Sequence, residues 1–156
     1  MTIKARMARG SKFGIRAVGG STYTYVGDLT TVGQPSPQSD EIDVSTLDSP
    51  GTAKEFILGP VDNGEFEISG NFVDTDAGQT AVYSAFTAGS DIEFIIEAPL
   101  KGTEAVAANI TGSGYVKNCV RMGDLTEGGL VPFTATIRVS GVITYAPATD
   151  ESDESV

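Results

Sequence analysis

Two short stretches of alternating residues carry the carboxylates that are the first candidates for chemistry in this chain. Glu65 and Glu67 alternate with Phe66 and Ile68, and Asp91 and Glu93 alternate with Ile92 and Phe94. Residues two apart on a strand share a face, so each pair points one way. Paired carboxylates can hydrolyse a glycosidic bond when two of them flank it in space. This chain has no Trp to offer a sugar ring a flat surface, which weighs against that chemistry. It has no His either. That removes Ser-His-Asp and Cys-His hydrolysis and most transition-metal sites. Cys119 is the only cysteine, so no intramolecular disulfide can form. Its strand-like setting reads as a small buried apolar residue rather than a nucleophile.

Other motifs fail in detail. Asp74-Thr75-Asp76-Ala77-Gly78 has the outline of a calcium loop. An EF-hand loop needs its glycine one place later and a bidentate Glu at its end, where this chain has Ala85. There is no P-loop, and Gly112-Ser113-Gly114 lacks the rest of a dinucleotide fingerprint. Asn109-Ile110-Thr111 matches a glycosylation sequon but falls in the middle of a strand pattern. No cofactor is expected. The basic residues Lys4, Arg6, Arg9 and Lys12 could touch nucleic-acid phosphates, yet only Phe13 is interleaved with them. They read better as an assembly arm.

The elements that would position these residues are mostly strands. The alternation from Glu65 to Phe72 predicts a strand with one wet face. Asp76 followed by Gln79 predicts a helix start, the Asp accepting backbone N–H groups and the Gln reaching back. Val82 and Phe86 share a helical face, and Gly89 suits a left-handed C-terminal turn. Ser90 to Glu97 returns to strand. Further strands are expected at Lys12 to Val18, Thr22 to Leu29, Ile42 to Val44 and Phe56 to Leu58. Glu104 to Val116 reads as one strand, or two broken at Gly112-Ser113-Gly114, and Phe133 runs to Tyr145. Gly33 to Ser39 and Leu47 to Glu55 read as loops, and Asp62-Asn63-Gly64 as a turn. The sum is a mainly β chain: an antiparallel β-sandwich or barrel with one short α-helix packed on it.

At 156 residues this is one domain with room for a core. No apolar run is long enough to cross a bilayer, and basic residues interrupt the N-terminus where a signal peptide would be apolar. A soluble, unexported chain is expected. Net charge is −11 and unevenly placed: the first 27 residues hold five bases and no acid, while Asp150, Glu151, Asp153 and Glu154 make the end acidic. The expected organisation is a basic arm over 1–16, a β domain over 17–146 and an acidic tail over 147–156. Charge alone fits simple solubility, or head-to-tail assembly of a basic arm onto an acidic neighbour.

The order of these elements resembles a known family. The run from Asp40 to Gly51, then Lys54 to Phe72, the helix Gln79 to Ala88, the strand Ile92 to Ala98 and the closing Arg138-Val139-Ser140-Gly141 are similar to the tail tube (major tail) proteins of long-tailed bacteriophages. The likeness covers roughly Val26 to Thr144 and lies in the order of the motifs, no single one being diagnostic. It implies a structural virion protein, made in the bacterial host cytoplasm. It implies self-assembly into stacked, by resemblance hexameric, rings. Those rings would form a hollow tube through which the genome passes without specific binding. Tape-measure and tail-terminator proteins are the implied partners, and no membrane is. Asp43, Glu65, Glu67, Asp91 and Glu93 become candidates for the lumen lining, and the two unpatterned loops for contacts between rings.

Two other readings compete. A β-sandwich receptor- or glycan-binding module of a virion or cell surface would be a stable monomer with an exposed aromatic patch, which the sequence does not show. A carboxylate-only enzyme would need a concave pocket with two carboxylates and a perturbed pKa.

Overall fold

The computed structural model describes residues 6–150. Lys4 and the acidic segment from Glu151 lie outside the described residues. Among the described residues, twelve strands and one helix follow in chain order: β1 (Lys12–Ala17), β2 (Thr24–Tyr25), β3 (Leu29–Val32), β4 (Gln38–Asp43), β5 (Phe56–Asp62), β6 (Glu65–Asn71), α1 (Ala77–Ala88), β7 (Asp91–Glu97), β8 (Glu104–Val106), β9 (Asn109–Val120), β10 (Pro132–Val139), β11 (Thr144–Ala146) and β12 (Thr149–Asp150). The main sheet runs β2-β1-β7-β9-β10-β6-β3, with β11 beside β9, and all its pairings are antiparallel.

Apolar alternation decides which face of that sheet is inside. Phe13 and Ile15, Ile92, Phe94 and Ile96, Phe133, Ala135, Ile137 and Val139, and Phe66 and Ile68 are all buried and form one core with Val82 of α1. Burying such side chains stabilises the fold by roughly 1.5–3 kcal/mol each. The sheet must curl to make one core of them. Four strand spacings separate β1 from β6, about 19 Å if the sheet were flat. Yet Phe66 on β6 meets Phe13 on β1 edge-on, with ring centroids 5.9 Å apart. Its centroid is 5.0 Å from that of Phe94 on β7. The chain itself ties the two edges together. β2 ends one edge, β3 ends the other, and residues 26–28 join them, so the edges lie within about 14 Å.

That joining segment is clamped by the start of α1. Asp76 caps the helix by accepting the Gln79 N–H (2.9 Å), and the same oxygen accepts the Gly27 N–H (3.1 Å). Gln79 is fully buried. Its amide donates to the carbonyls of Asn71 (2.8 Å) and Gly27 (3.2 Å), and its oxygen accepts the Val73 N–H (3.0 Å). The helix start is therefore where the sequence places it. Gln79, however, does not reach back to the cap. It is spent holding the far edge of the sheet. Gly78 is required for the same approach, since a β-carbon there would sit 2.2 Å from the Tyr25 carbonyl oxygen.

Several element boundaries differ from the expected ones, for local reasons. The expected strand Thr22 to Leu29 is two short strands, because the chain changes edges at Val26 and turns at Asp28 with a positive φ of 54°. The Gly112-Ser113-Gly114 run does not break its strand. Gly112 lies under the Phe94 ring and Gly114 against the Arg138 carbonyl, so glycine there permits close packing within β9. The long final strand is broken at Gly141, where φ is 98°. The boundary expected at 16/17 falls inside β1, because Phe13 and Ile15 are core residues. The segment expected as an acidic tail from residue 147 includes β12, which pairs with β8.

Candidate functional site

The feature of this fold that most needs a partner is a ribbon that leaves the sheet. β3 pairs with β6, and the pairing runs on through the Gly33 N–H to the Glu67 carbonyl (2.8 Å) and the Ser36 N–H to the Asn63 carbonyl (3.2 Å). It continues as β4 against β5, from Gln38 opposite Asp62 to Asp43 opposite Phe56. The segment expected as a loop, Gly33 to Ser39, is thus the middle of one antiparallel ribbon. Its outer half forms a two-stranded sheet of its own. It extends about 20 Å past the base of β6. Such a hairpin is marginally stable alone in water. This one carries Ile42 opposite Ile57, and Phe56 and Leu58 on its other face. All four are exposed, Leu58 at 76%, and Leu47 at the tip is fully so. Asp40, Glu41 and Pro60 on its strands discourage indiscriminate edge pairing.

The carboxylates chosen from the sequence separate into two places. Asp43 belongs to this hairpin and not to the main sheet. Its carboxylate accepts the Ser45 N–H (2.9 Å), and that bond holds its pKa below the ordinary carboxylate range. Glu65, Glu67, Asp91 and Glu93 lie on the outer face of the main sheet, the two pairs separated by β9 and β10. One cross-strand row there reads Asp91, Tyr115, Arg138, Glu65. The face is not uniformly acidic. Arg16 bonds Glu93 (2.6 Å), and Lys117 bonds Glu65 (2.8 Å) across the intervening strand. Lys117 stands at a register shift between β9 and β10, where a bulge re-aims it. Arg138 binds Asp62, whose pKa is lowered first by the Gly64 N–H and then by that guanidinium. Sequence reasoning passed over these bases, although the alternation of Thr134, Thr136 and Arg138 already put Arg138 on the wet face. Among the described residues, Glu67 and Asp91 form no ion pair.

The proposed arm is partly committed to its own chain. Arg6 bonds both oxygens of Glu104 (2.9 Å each) and the Pro99 carbonyl (2.7 Å). Lys12 is in β1 opposite Glu97, with its ammonium 5.6 Å from the Tyr25 ring centre. Arg9 is exposed. The Arg6 bond lowers the Glu104 pKa from its usual 4.5, with the Lys101 N–H adding to it. A depressed carboxylate contributes stability above its unfolded pKa and loses it as pH falls through the folded one. Met7 to Ser11 are therefore expected to stay docked from neutral pH down to the ordinary carboxylate range and to loosen only below it. Glu104→Gln is expected to loosen them at neutral pH. Amide exchange of these residues measures both.

Cys119 is buried, and burial pushes its thiol up to about 11, so it packs as the apolar residue expected. No group of metal-ligating side chains is found among the described residues.

The chain superposes on a subunit from the tail of an empty gene transfer agent particle, solved with C6 symmetry, with a TM-score of 0.70 at 17% identity. The match spans 91% of this chain and 99% of that one. It superposes on the SPP1 tail tube at 0.67 and 22% identity, over 96% and 83% of the two chains. A subunit of the anti-feeding prophage baseplate gives 0.71 at 11% identity, over 94% and 98%. The chain has the tail-tube fold. No protein-family model and no curated protein sequence matches it. The tail-tube fold is thus recognised through its architecture and element order at identities of 11–22%.

Proposed function

We propose that the chain is a structural virion subunit whose copies close into rings and stack into the hollow tail tube of a phage-like particle. The observation that carries this is the projecting β4–β5 hairpin, apolar on both faces and unpartnered, on a fold seen in assembled tails. A long exposed apolar hairpin is a liability in a monomer and an asset in a polymer. The main sheet has edges at β2 and β3, and ring closure is a way to cover them. Stacking by a hairpin at one end is heterologous and open-ended, as a filament requires. Six copies per ring follow the symmetry of the gene transfer agent tail.

In this reading the outer face of the main sheet lines the bore. Glu67 and Asp91 supply its uncompensated negative charge, which repels DNA phosphates. The role is mechanical, with no catalytic step. Its partners are other copies and the proteins that start and cap the tube, in a virion assembled in the host cytoplasm. Electron microscopy of the concentrated protein is expected to show tubes or stacked rings, and linear DNA mixed with them should not co-sediment. A protein monomeric at every concentration would remove the proposal.

A further inference from the structure

At the end of the main sheet away from the hairpin sits a cation without an anion. Arg121 directly follows β9. Its guanidinium lies 4.8 Å from the ring centre of Tyr83 on α1 and 5.7 Å from that of Phe72, which follows β6. Cation–π attraction to the two ring faces holds the guanidinium at this spot. Its Nε is buried with no acceptor, and no ion pair reaches it among the described residues. A carboxylate from outside cannot reach that buried Nε and would meet the terminal nitrogens, which have no hydrogen bond or ion pair among the described residues. Met122, Leu125 and Leu130, on the same β9–β10 connection, are all exposed.

The complement is at the hairpin tip. Three carboxylates lie at or beside it. Asp43 is engaged by the Ser45 N–H and Glu55 by the Ser49 hydroxyl. Among the described residues Asp48 bonds only through its backbone N–H, to the Thr46 hydroxyl, and its carboxylate is left without a donor; Leu47 beside it is fully exposed. β6 separates the two features: the hairpin joins it before Glu65, and Phe72 of the cage comes after Asn71. A free acid next to an apolar knob at one end thus faces away from a free cation near three apolar side chains at the other.

We infer that Asp48 of one copy pairs with Arg121 of the next, and that Leu47 seats among Met122, Leu125 and Leu130. The occupant of the Arg121 cage is a second copy of this chain. The charges complement, and features at opposite ends make a head-to-tail contact that repeats without closing. The inference rests on the tube reading and adds the residues that join successive rings.

A charge swap tests it. The critical concentration for polymerisation is measured by sedimentation for the wild type, Asp48→Arg, Arg121→Asp and the double reversal. Each single reversal is expected to raise it at least about tenfold, since a like-charge contact replaces an ion pair, and the double to recover most of the loss. Singles that assemble as the wild type does, or a double no better than the singles, overturn the pairing while leaving the tube reading intact. A wild type that never polymerises sinks the tube reading and the pairing with it. Should Arg121→Asp fail to fold, shown by thermal melting, the exposed Asp48→Arg decides alone.

Discussion

Replacing Leu47, Phe56, Ile57 and Leu58 together by Thr is expected to abolish polymer formation and leave the monomer almost as stable as before. These side chains are exposed in the single chain, and substitutions at exposed positions usually change stability by less than about 0.5 kcal/mol each. In a polymer they would be covered. Each then loses roughly 1 kcal/mol of burial per contact, about half the value for full burial from full exposure. Four such losses weaken each subunit contact by about 4 kcal/mol, or roughly a thousandfold in the critical concentration. Sedimentation over a concentration series reads the assembly term, and chemical unfolding of the monomer reads the folding term. If the critical concentration stays put while the four apolar groups are gone, the hairpin is not the assembly device. A fall in monomer stability of several kcal/mol would instead mean that the hairpin packs on its own domain.

The core of this fold was legible because its strands obey a two-residue period. Phe66/Ile68, Ile92/Phe94/Ile96 and Phe133/Ala135/Ile137/Val139 are apolar on one side and polar on the other, and each group is buried as a row. The helix was legible for a different reason, its caps: Asp76 accepts the Gln79 N–H and Gly89 adopts φ 64°. The hairpin was not legible as one element. Gly33 to Ser39 has two prolines and no alternation, because a ribbon exposed on both faces has no buried side to impose a period. The break at Val26 was equally invisible. It depends on where the two edges of the curled sheet come near each other, which residues 22–29 alone do not encode.

The candidate acids show the same division. Alternation correctly grouped Glu65 with Glu67 and Asp91 with Glu93, since each pair shares a strand. It could not tell that Arg16 and Lys117 would reach Glu93 and Glu65, because those contacts cross strands far apart in the chain. Nor could it exclude Asp43, which alternates as the others do but lies beyond the main sheet. A bore lined by this face therefore owes less to the number of its acids than to which of them stay unpaired. Exposed pairs such as Lys117–Glu65 add little stability. On the proposed bore they would cancel charge locally and leave Glu67 and Asp91 to repel DNA.

Gln79→Ala is expected to be the most damaging single substitution among the polar residues of the core. It removes three hydrogen bonds at once and strands the Val73 N–H and the Gly27 and Asn71 carbonyls away from water. With the cavity, the loss is on the order of 3–5 kcal/mol, against a typical total of about 5–15. The melting temperature should fall by about 10 °C. The mechanism also predicts a pH signature that a simple cavity lacks. In Gln79→Glu a carboxylate replaces the donor, cannot bond either carbonyl, and is buried. Burial raises its folded pKa above the unfolded value. Its penalty is therefore absent below the unfolded pKa and grows as pH rises towards the folded one. The Glu variant should be more stable near pH 4 than at pH 7 relative to the wild type, while the deficit of the Ala variant stays constant. Denaturant midpoints across that range separate the two. A Glu variant with a pH-independent deficit would show that Gln79 fills space without bridging the sheet edges, and the closure of the two edges would have to rest on Asp76 and Gly78 alone.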